Sequence, residues 1–161
     1  MSVTYFDNVK KHFGFGCMRL PMRGEQVDYE KFTKMVDFYM AQGFNYFDTA
    51  RVYLGGQSET AIRDCIAKRY PREQFILTDK LSTSLFHSEE EIRPLFEAQL
   101  RSCGVDYFDF YLMHAQSKSI FEKYKQCHAY SGGRSRTGRS GGARAADGDG
   151  PACAALAGET P

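Results

Sequence analysis

The chain has 161 residues, which is enough for one compact domain. Its 21 basic and 20 acidic side chains leave a net charge of +1, which excludes a strongly basic nucleic-acid binder or an acidic tail protein as a description of the whole chain. No apolar run approaches the roughly 20 residues that cross a bilayer, and the N-terminus lacks the apolar segment of a signal peptide. We therefore predict no membrane partner. The five cysteines are far apart and form no CxxC pair, which is typical of free thiols in the cytoplasm.

The composition changes abruptly after residue 130. All 13 phenylalanines, all 10 tyrosines and every lysine lie in residues 1–130, whereas the last 31 residues hold eight of the 15 glycines. A segment so poor in apolar side chains cannot offset its conformational entropy, so residues 131–161 are predicted to be a disordered tail behind a domain at 1–130. Because the change follows Tyr130 inside a predicted helix, a shifted reading frame or mis-joined end is favoured over a genuine natural tail.

Residues 13–43 form the first predicted strand and helix. The apolar run at 13–20 predicts a strand, and Pro21 with the polar residues 23–26 predicts a turn. Asp28 is a plausible N-cap, and Gly43 marks the end of the helix that follows. The apolar residues of this helix recur at spacings of three and four: Phe32, Met35, Val36, Tyr39 and Met40.

Two further units follow. Residues 44–47 predict a strand ending in Asp48, after which Ser58 is a candidate cap for a helix that stops before Pro71. This helix has an inner face of Ala61, Ile62, Cys65 and Ile66. Residues 75–78 begin a third strand that ends at Lys80.

The last complete unit begins with a capping signal. Ser88 precedes three glutamates, a pattern that favours a helix N-terminus through both capping and the helix dipole. The helix continues to Gly104, and the very apolar residues 107–113 predict a strand ending at His114. A fourth helix is predicted from near Ser119.

The predicted strands begin near residues 13, 44, 75 and 108, a period of 31–33 residues that is typical of βαβ units. Repetition of this kind gives a parallel sheet, either doubly wound or in a (β/α)8 barrel. Gly14 and Gly16 are not followed by a third glycine that opens a helix, so the dinucleotide-binding fingerprint of the doubly wound fold fails. We predict the first half of a barrel, with four parallel strands in the order 1-2-3-4 and at least three outer helices.

Three successive strands end on titratable residues: Asp48, Lys80 and His114. The carboxyl ends of barrel strands meet at one mouth, where catalytic residues are found, and Tyr53 lies in the loop after Asp48. Each residue alone is more often a turn, surface or hydrogen-bonded core residue. Their coincidence on neighbouring strand ends favours an active site.

These residues carry a resemblance to a known family. The segments 14–21 (GFGCMRLP), 47–53 (FDTARVY), 58–59 (SE) and 112–114 (LMH), together with Lys80, resemble the first half of an aldo-keto reductase. The resemblance covers about residues 5–130 and implies a (β/α)8 barrel that reduces aldehydes or ketones with NADPH or NADH. The opening segment is most similar to a bacterial branch with a C-terminal ferredoxin-like extension, so an iron–sulfur cluster is implied only in a full-length relative.

The resemblance also implies a role for each site residue. Tyr53 is the general acid that protonates the alkoxide formed from the carbonyl group. A phenol is a weak acid, and the Lys80 ammonium, held in place by Asp48, stabilises its phenolate. His114 donates a hydrogen bond to the substrate oxygen. Contacts to the nicotinamide end of the cofactor are expected from Gly16, Cys17, Met18 and Asp48.

Two alternatives remain. The arginines and glycines of residues 132–144 resemble an RNA-binding tail, although they offer no aromatic side chain for base stacking. A metal hydrolase would need more ligands than His114 and Asp48, and Lys80 would repel the cation. We therefore expect a small carbonyl substrate, no metal and no nucleic acid. Since the chain supplies four of eight strands, we also expect a truncated and inactive fragment; the sequence does not indicate an oligomeric state.

Overall fold

The computed structural model describes residues 8–126 and a short strand at 143–144. Its helices are α1 (Tyr29–Ala41), α2 (Gln57–Ile62), α3 (Ile92–Cys103) and α4 (Lys118–Gln126). Its strands are β1 (Gly14–Gly16), β2 (Met22–Arg23), β3 (Gln26–Val27), β4 (Tyr46–Asp48), β5 (Ile76–Leu81), β6 (Tyr107–Phe108), β7 (Phe110–Met113) and β8 (Ala143–Arg144). In this part of the chain, no helix has the length and apolar character that a membrane span requires.

The main sheet contains β1, β4, β5 and β7 in that spatial order, and every neighbouring pair is parallel. This confirms the predicted four parallel strands in the order 1-2-3-4. Gly16 pairs with Asp48, Asp48 pairs with Thr78, and Lys80 pairs with Leu112. Because the strands are parallel and in register, their carboxyl ends lie along one edge of the sheet.

The core lies between one face of the sheet and the helices α1, α2 and α3. It combines strand residues such as Phe47 and Leu77 with helix residues such as Phe32, Ile62 and Phe96. The predicted cap of α1 is confirmed, since Asp28 Oδ1 accepts a hydrogen bond from the Lys31 amide at 3.0 Å. The helices predicted around residues 28–43, 88–104 and from 119 are likewise present.

The predicted cap of the second helix is wrong. The residue at the N-terminus of α2 is Gly56, whose φ of 90° is readily adopted only by glycine. The hydroxyl of Ser58 instead donates to the Cys17 carbonyl at 2.9 Å and hydrogen-bonds the Thr49 hydroxyl at 2.7 Å. Ser58 therefore joins two loops. The inner face predicted for this helix continues beyond α2 into a π-helical turn, Arg63–Ala67.

Three other predicted elements differ in detail. The first strand covers only Gly14–Gly16, and residues 22–27 form the antiparallel hairpin β2–β3. The strand predicted at 107–113 is interrupted at Asp109, whose Oδ2 accepts from the Leu77 amide at 2.8 Å and from Arg72 at 2.6 Å. A side chain thus replaces a ladder hydrogen bond there. Ser88 makes no capping hydrogen bond, and the 3-10 turn Glu89–Glu91 precedes α3.

Within the segment predicted to be a tail, β8 pairs with β6 in antiparallel fashion, through Tyr107 with Arg144 and Phe108 with Ala143. The remaining residues from 131 to 161 lie outside the described part of the chain. The predicted disorder, the shifted reading frame and the RNA-binding tail all concern that segment and stay predictions.

A pair of carboxyl groups is buried behind β5. Glu59 and Asp79 are fully buried, and Glu59 Oε2 accepts from Arg51 at 2.6 Å. Asp79 Oδ1 accepts from the Lys80 amide at 2.7 Å and from Gln99 at 3.0 Å. Glu59 Oε1 has no hydrogen-bond partner among the described residues. One carboxylate oxygen of Glu59, one of Asp79 and the Cys103 sulfur lie within 4.8 Å of one another. A proton on one carboxyl group would give Glu59 Oε1 the missing partner.

Burial favours that proton. It raises the pKa of Asp79 well above its ordinary value, and the neighbouring Glu59 carboxylate raises this pKa further. Burial likewise raises the pKa of Glu59, against the opposing effect of Arg51. In the unfolded chain both groups ionise near pH 4. The folded protein therefore binds more protons, so the stability from this pair is complete below about pH 4 and falls as the pH rises through the folded-state pKa values.

We predict that Asp79→Asn reduces the loss of folding stability that occurs as the pH rises. The asparagine retains Oδ1 for the Lys80 and Gln99 donors, and its Nδ2 donates to Glu59 Oε1 without a titrating proton. Urea unfolding at several values between about pH 5 and pH 8 measures the effect. Asp106→Asn, at an exposed position, is the matched control. Parallel pH profiles for the wild-type chain and Asp79→Asn would contradict the shared proton.

Candidate active site

Lys80 occupies the centre of the mouth formed by the strand ends. Its Nζ donates to Asp48 Oδ1 at 2.5 Å and to the Thr49 carbonyl at 2.8 Å. The Lys80 side chain is 11% exposed, and the Asp48 side chain is 30% exposed. The structure thus pairs these residues as the sequence predicts. Alternation along β5 directs Lys80 to the face opposite Asp79, and the adjacent Asp48 neutralises its charge.

Tyr53 is held over the same mouth by a tight turn. Its amide donates to the Ala50 carbonyl at 2.9 Å, and the next residue, Leu54, adopts a left-handed φ of 52°. The Lys80 ammonium lies 4.7 Å from the centroid of the Tyr53 ring. A cation at this distance is attracted to the ring face. The sequence-predicted neighbours Tyr53 and Lys80 are therefore in contact.

His114 completes the group. Its amide donates to the Leu81 carbonyl at 2.9 Å, which extends the β5–β7 pairing by one residue. Its ring meets the Tyr53 ring edge-to-face, with centroids 5.6 Å apart. Burial lowers the pKa of His114, and the Lys80 ammonium lowers it further against the opposing effect of Asp48. The imidazole is therefore neutral at neutral pH.

The loop after β1 borders this mouth. Gly16 is exposed, and a side chain added there would meet no atom within 4 Å. Met18 is 52% exposed. The Cys17 thiol, in contrast, is fully buried, and the Cys17 amide donates to the Asp48 carbonyl at 2.8 Å. The Cys17 carbonyl accepts from Ser58, so this residue shapes the loop. The cofactor contact predicted for Cys17 stays a prediction.

Sequence reasoning missed Ser82. Its Oγ lies 2.7 Å from His114 Nδ1, and the residue is only 4% exposed. A serine just beyond a strand reads as an ordinary turn residue, so the sequence carries no signal for this contact. The contact depends on the register that brings the end of β5 beside His114.

A sequence model of the Aldo/keto reductase family matches residues 12–128. The chain belongs to this family. It is 33% identical over 107 residues to 4-dihydromethyl-trisporate dehydrogenase of Mucor mucedo, covering 63% of this chain and 30% of that protein. It is 32% identical over 107 residues to the NAD(P)H-dependent D-xylose reductase of Pachysolen tannophilus, covering 63% of this chain and 29% of that protein.

The fold is similar to that of solved family members. The holo form of an aldo-keto reductase from Bacillus halodurans superimposes with a TM-score of 0.55 and 28% sequence identity, covering 71% of this chain and 42% of that chain. The predicted first part of a barrel is therefore confirmed. The chain spans about three-tenths of the length of the curated relatives described above.

The mouth offers features that fit the nicotinamide end of a dinucleotide. Asp48 uses one carboxylate oxygen for Lys80 and is partly exposed, so an acceptor remains for a hydroxyl group. The open backbone at Gly16 permits close approach of a flat ring, because no side chain intervenes. Met18 supplies an exposed apolar surface beside them.

We predict that the Lys80 pair stabilises the fold. Asp48→Ala leaves a mostly buried ammonium with one carbonyl acceptor, so it should lower the free energy of unfolding by about 1–3 kcal/mol. In a Lys80→Met background, Asp48→Ala should lower the free energy of unfolding much less, because no ammonium remains to be neutralised. Urea unfolding of the four proteins gives this coupling energy. Equal costs of Asp48→Ala in both backgrounds would contradict the ion pair.

Proposed function

We propose that this site reduces aldehydes or ketones by hydride transfer from NADPH or NADH. The observation that carries the proposal is one group of contacts at the strand ends. Lys80 is paired with Asp48 and lies over the Tyr53 ring, and the neutral His114 ring meets Tyr53. Family membership and the NAD(P)H-dependent xylose reductase among the relatives support the same chemistry.

Each side chain has a distinct part in this reaction. The reduced nicotinamide, when bound, supplies a hydride to the carbonyl carbon. The electron pair of the carbonyl double bond moves to the oxygen, and Tyr53 donates its phenolic proton there. Lys80 stabilises the phenolate that Tyr53 becomes, while Asp48 holds the ammonium in place. His114 donates a hydrogen bond that orients the carbonyl oxygen.

Contacts to the nicotinamide end of the cofactor are proposed for the residues that border the mouth: Gly16, Cys17, Met18 and Asp48. Cys17 supports this loop through its buried backbone contacts. Family membership is the basis for proposing NADPH or NADH as the cofactor, a carbonyl compound as the substrate and reductase activity of the whole protein. The predicted similarity to the branch with an iron–sulfur extension rests on residues 14–21 alone. It stays a prediction.

A metal hydrolase has less support from this geometry. The Lys80 ammonium lies 2.5 Å from Asp48 Oδ1, where it would repel a cation. His114 Nδ1 is engaged with Ser82. The two candidate ligands thus make contacts that suit proton transfer and substrate orientation.

The proposal is tested by placing residues 12–128 in a complete family member, such as the Bacillus halodurans reductase, in exchange for its matching segment. We expect this chimera to oxidise NADPH in the presence of an aldehyde. Tyr53→Phe should then lower kcat by about 10²–10⁴-fold, because it removes the general acid and little else. Absorbance of the reduced nicotinamide gives the rate, and fluorescence titration gives cofactor affinity.

Tyr29→Phe is the matched control, because Tyr29 is an exposed residue on α1, hydrogen-bonded to Thr60. It should leave kcat within about twofold of the parent, as expected for a surface change away from the site. A Tyr53→Phe chimera within threefold of the parent would overturn the assignment of Tyr53. Loss of NADPH binding in that variant would show that the phenol acts in cofactor binding instead.

A further inference from the structure

We propose that Ser82 is a positioning residue that holds His114 in the tautomer with its proton on Nε2. The proposal rests on the proposed function, since it identifies what orients the imidazole toward a substrate carbonyl. Ser82 Oγ lies 2.7 Å from His114 Nδ1, and the serine side chain is almost fully buried. Ser82 follows β5 directly, and His114 follows β7, so the pairing of the two strands sets this distance.

The direction of the hydrogen bond follows from the surroundings of the serine. Among the described residues, His114 Nδ1 is the acceptor within reach of the Ser82 hydroxyl. If Nδ1 carried the proton, Ser82 would have to accept, and its own hydroxyl hydrogen would be buried without a partner. Buried polar hydrogens are almost always bonded, because leaving one unpaired costs its hydration. Ser82 therefore donates, and Nδ1 is the acceptor.

The imidazole must be neutral for Nδ1 to accept. The groups that face it are the Lys80 ammonium, the Asp48 carboxylate paired with it, and the Tyr53 ring. Burial and the ammonium both lower the pKa of His114, which keeps the neutral form at neutral pH. A neutral histidine has one protonated nitrogen, so a proton excluded from Nδ1 is on Nε2.

The backbone of His114 is fixed independently of Ser82. The Tyr124 hydroxyl contacts both the His114 amide and the Leu81 carbonyl, which ties the ends of β5 and β7 together. The Ser82 bond therefore fixes the rotation and the tautomer of the ring, and the backbone stays in place without it. With the proton on Nε2, the imidazole presents a donor to a carbonyl oxygen. The other tautomer would present a lone pair, which repels that oxygen.

Nitrogen NMR of the intact 161-residue chain tests the tautomer directly. The chain contains four histidines, and a His114→Gln sample identifies the His114 signals by their loss. In a long-range proton–nitrogen correlation spectrum at neutral pH, we expect Nε2 to show the shift of a protonated nitrogen and Nδ1 that of a hydrogen-bonded acceptor. A protonated Nδ1, or an imidazolium at neutral pH, would overturn the proposal.

Three variants separate positioning from a general effect on folding. Ser82→Ala should raise the population of the Nδ1-protonated tautomer about fivefold, as expected for loss of one hydrogen bond. Ser82→Thr retains the hydroxyl and should keep the wild-type tautomer, while Ser84→Ala, at an exposed position nearby, should change nothing. An unchanged tautomer in Ser82→Ala would overturn the proposal. If Ser82→Ala does not fold, the Ser82→Thr variant decides: an altered His114 tautomer in that variant would overturn the proposal.

The reductase assay on the chimera is a separate measurement. Ser82→Ala there should lower kcat more than it raises KM, and Ser82→Thr should restore it. If the chimera does not reduce carbonyl compounds while the NMR spectra of the 161-residue chain show the Nε2 tautomer, the result would count against the proposed function. The role of Ser82 in fixing the tautomer would be unaffected. Full activity in Ser82→Ala despite an altered tautomer would show that the reaction does not use this orientation.

Discussion

The parallel register of β1, β4, β5 and β7 is the constraint on which the site depends. Gly16 lies opposite Asp48 and Asp48 opposite Thr78, so Lys80, two residues further along β5, points to the same face just beyond Asp48. The contact of the His114 amide with the Leu81 carbonyl continues the ladder to the next strand. A shift of β5 by one residue would exchange the faces of Asp79 and Lys80, placing a carboxyl group in the mouth and an ammonium in the core.

The ion pair of Lys80 and Asp48 is favourable because neither group is entirely removed from water. Asp48 keeps part of its surface exposed, which limits its desolvation, while Lys80 gains a second acceptor in the Thr49 carbonyl. That carbonyl is held in turn, since the Thr49 hydroxyl bonds Ser58 and the Thr49 amide donates to Thr78. The ammonium is thus fixed by Asp48 and by a carbonyl that contacts with α2 and β5 hold in place. It is this fixed charge that Tyr53 contacts.

The sequence predicts the parts of this structure that depend on neighbours along the chain. The period of the strands, the Asp28 cap and the strand end at Asp48 follow from local patterns, and the structure contains them. The strand ends predicted at Lys80 and His114 are each displaced by one residue, since β5 ends at Leu81 and β7 at Met113. The sequence does not predict features decided by contacts between distant segments. Ser58 has the composition of a helix cap, yet the approach of Cys17 and Thr49 decides its partner. Asp109 breaks an apolar run because the Leu77 amide lies beside it.

Because side chains alternate along β5, the adjacent residues Asp79 and Lys80 face different surroundings, and their charges are balanced in different ways. Asp79 faces the core, where burial raises its pKa and favours a proton shared with Glu59. Lys80 faces the mouth, where Asp48 provides a counter-charge. Gln99 Nε2 bridges the two sites, since it donates to Asp79 Oδ1 and to the Lys80 carbonyl. The sites are also coupled directly, by a hydrogen bond from the Lys80 amide to Asp79 Oδ1. Because a neutral Asp79 still accepts this bond but carries no charge, it can fix the backbone of Lys80 without competing with Asp48 for the ammonium. A proton on the core pair would therefore leave the Lys80 charge to Asp48 and Tyr53.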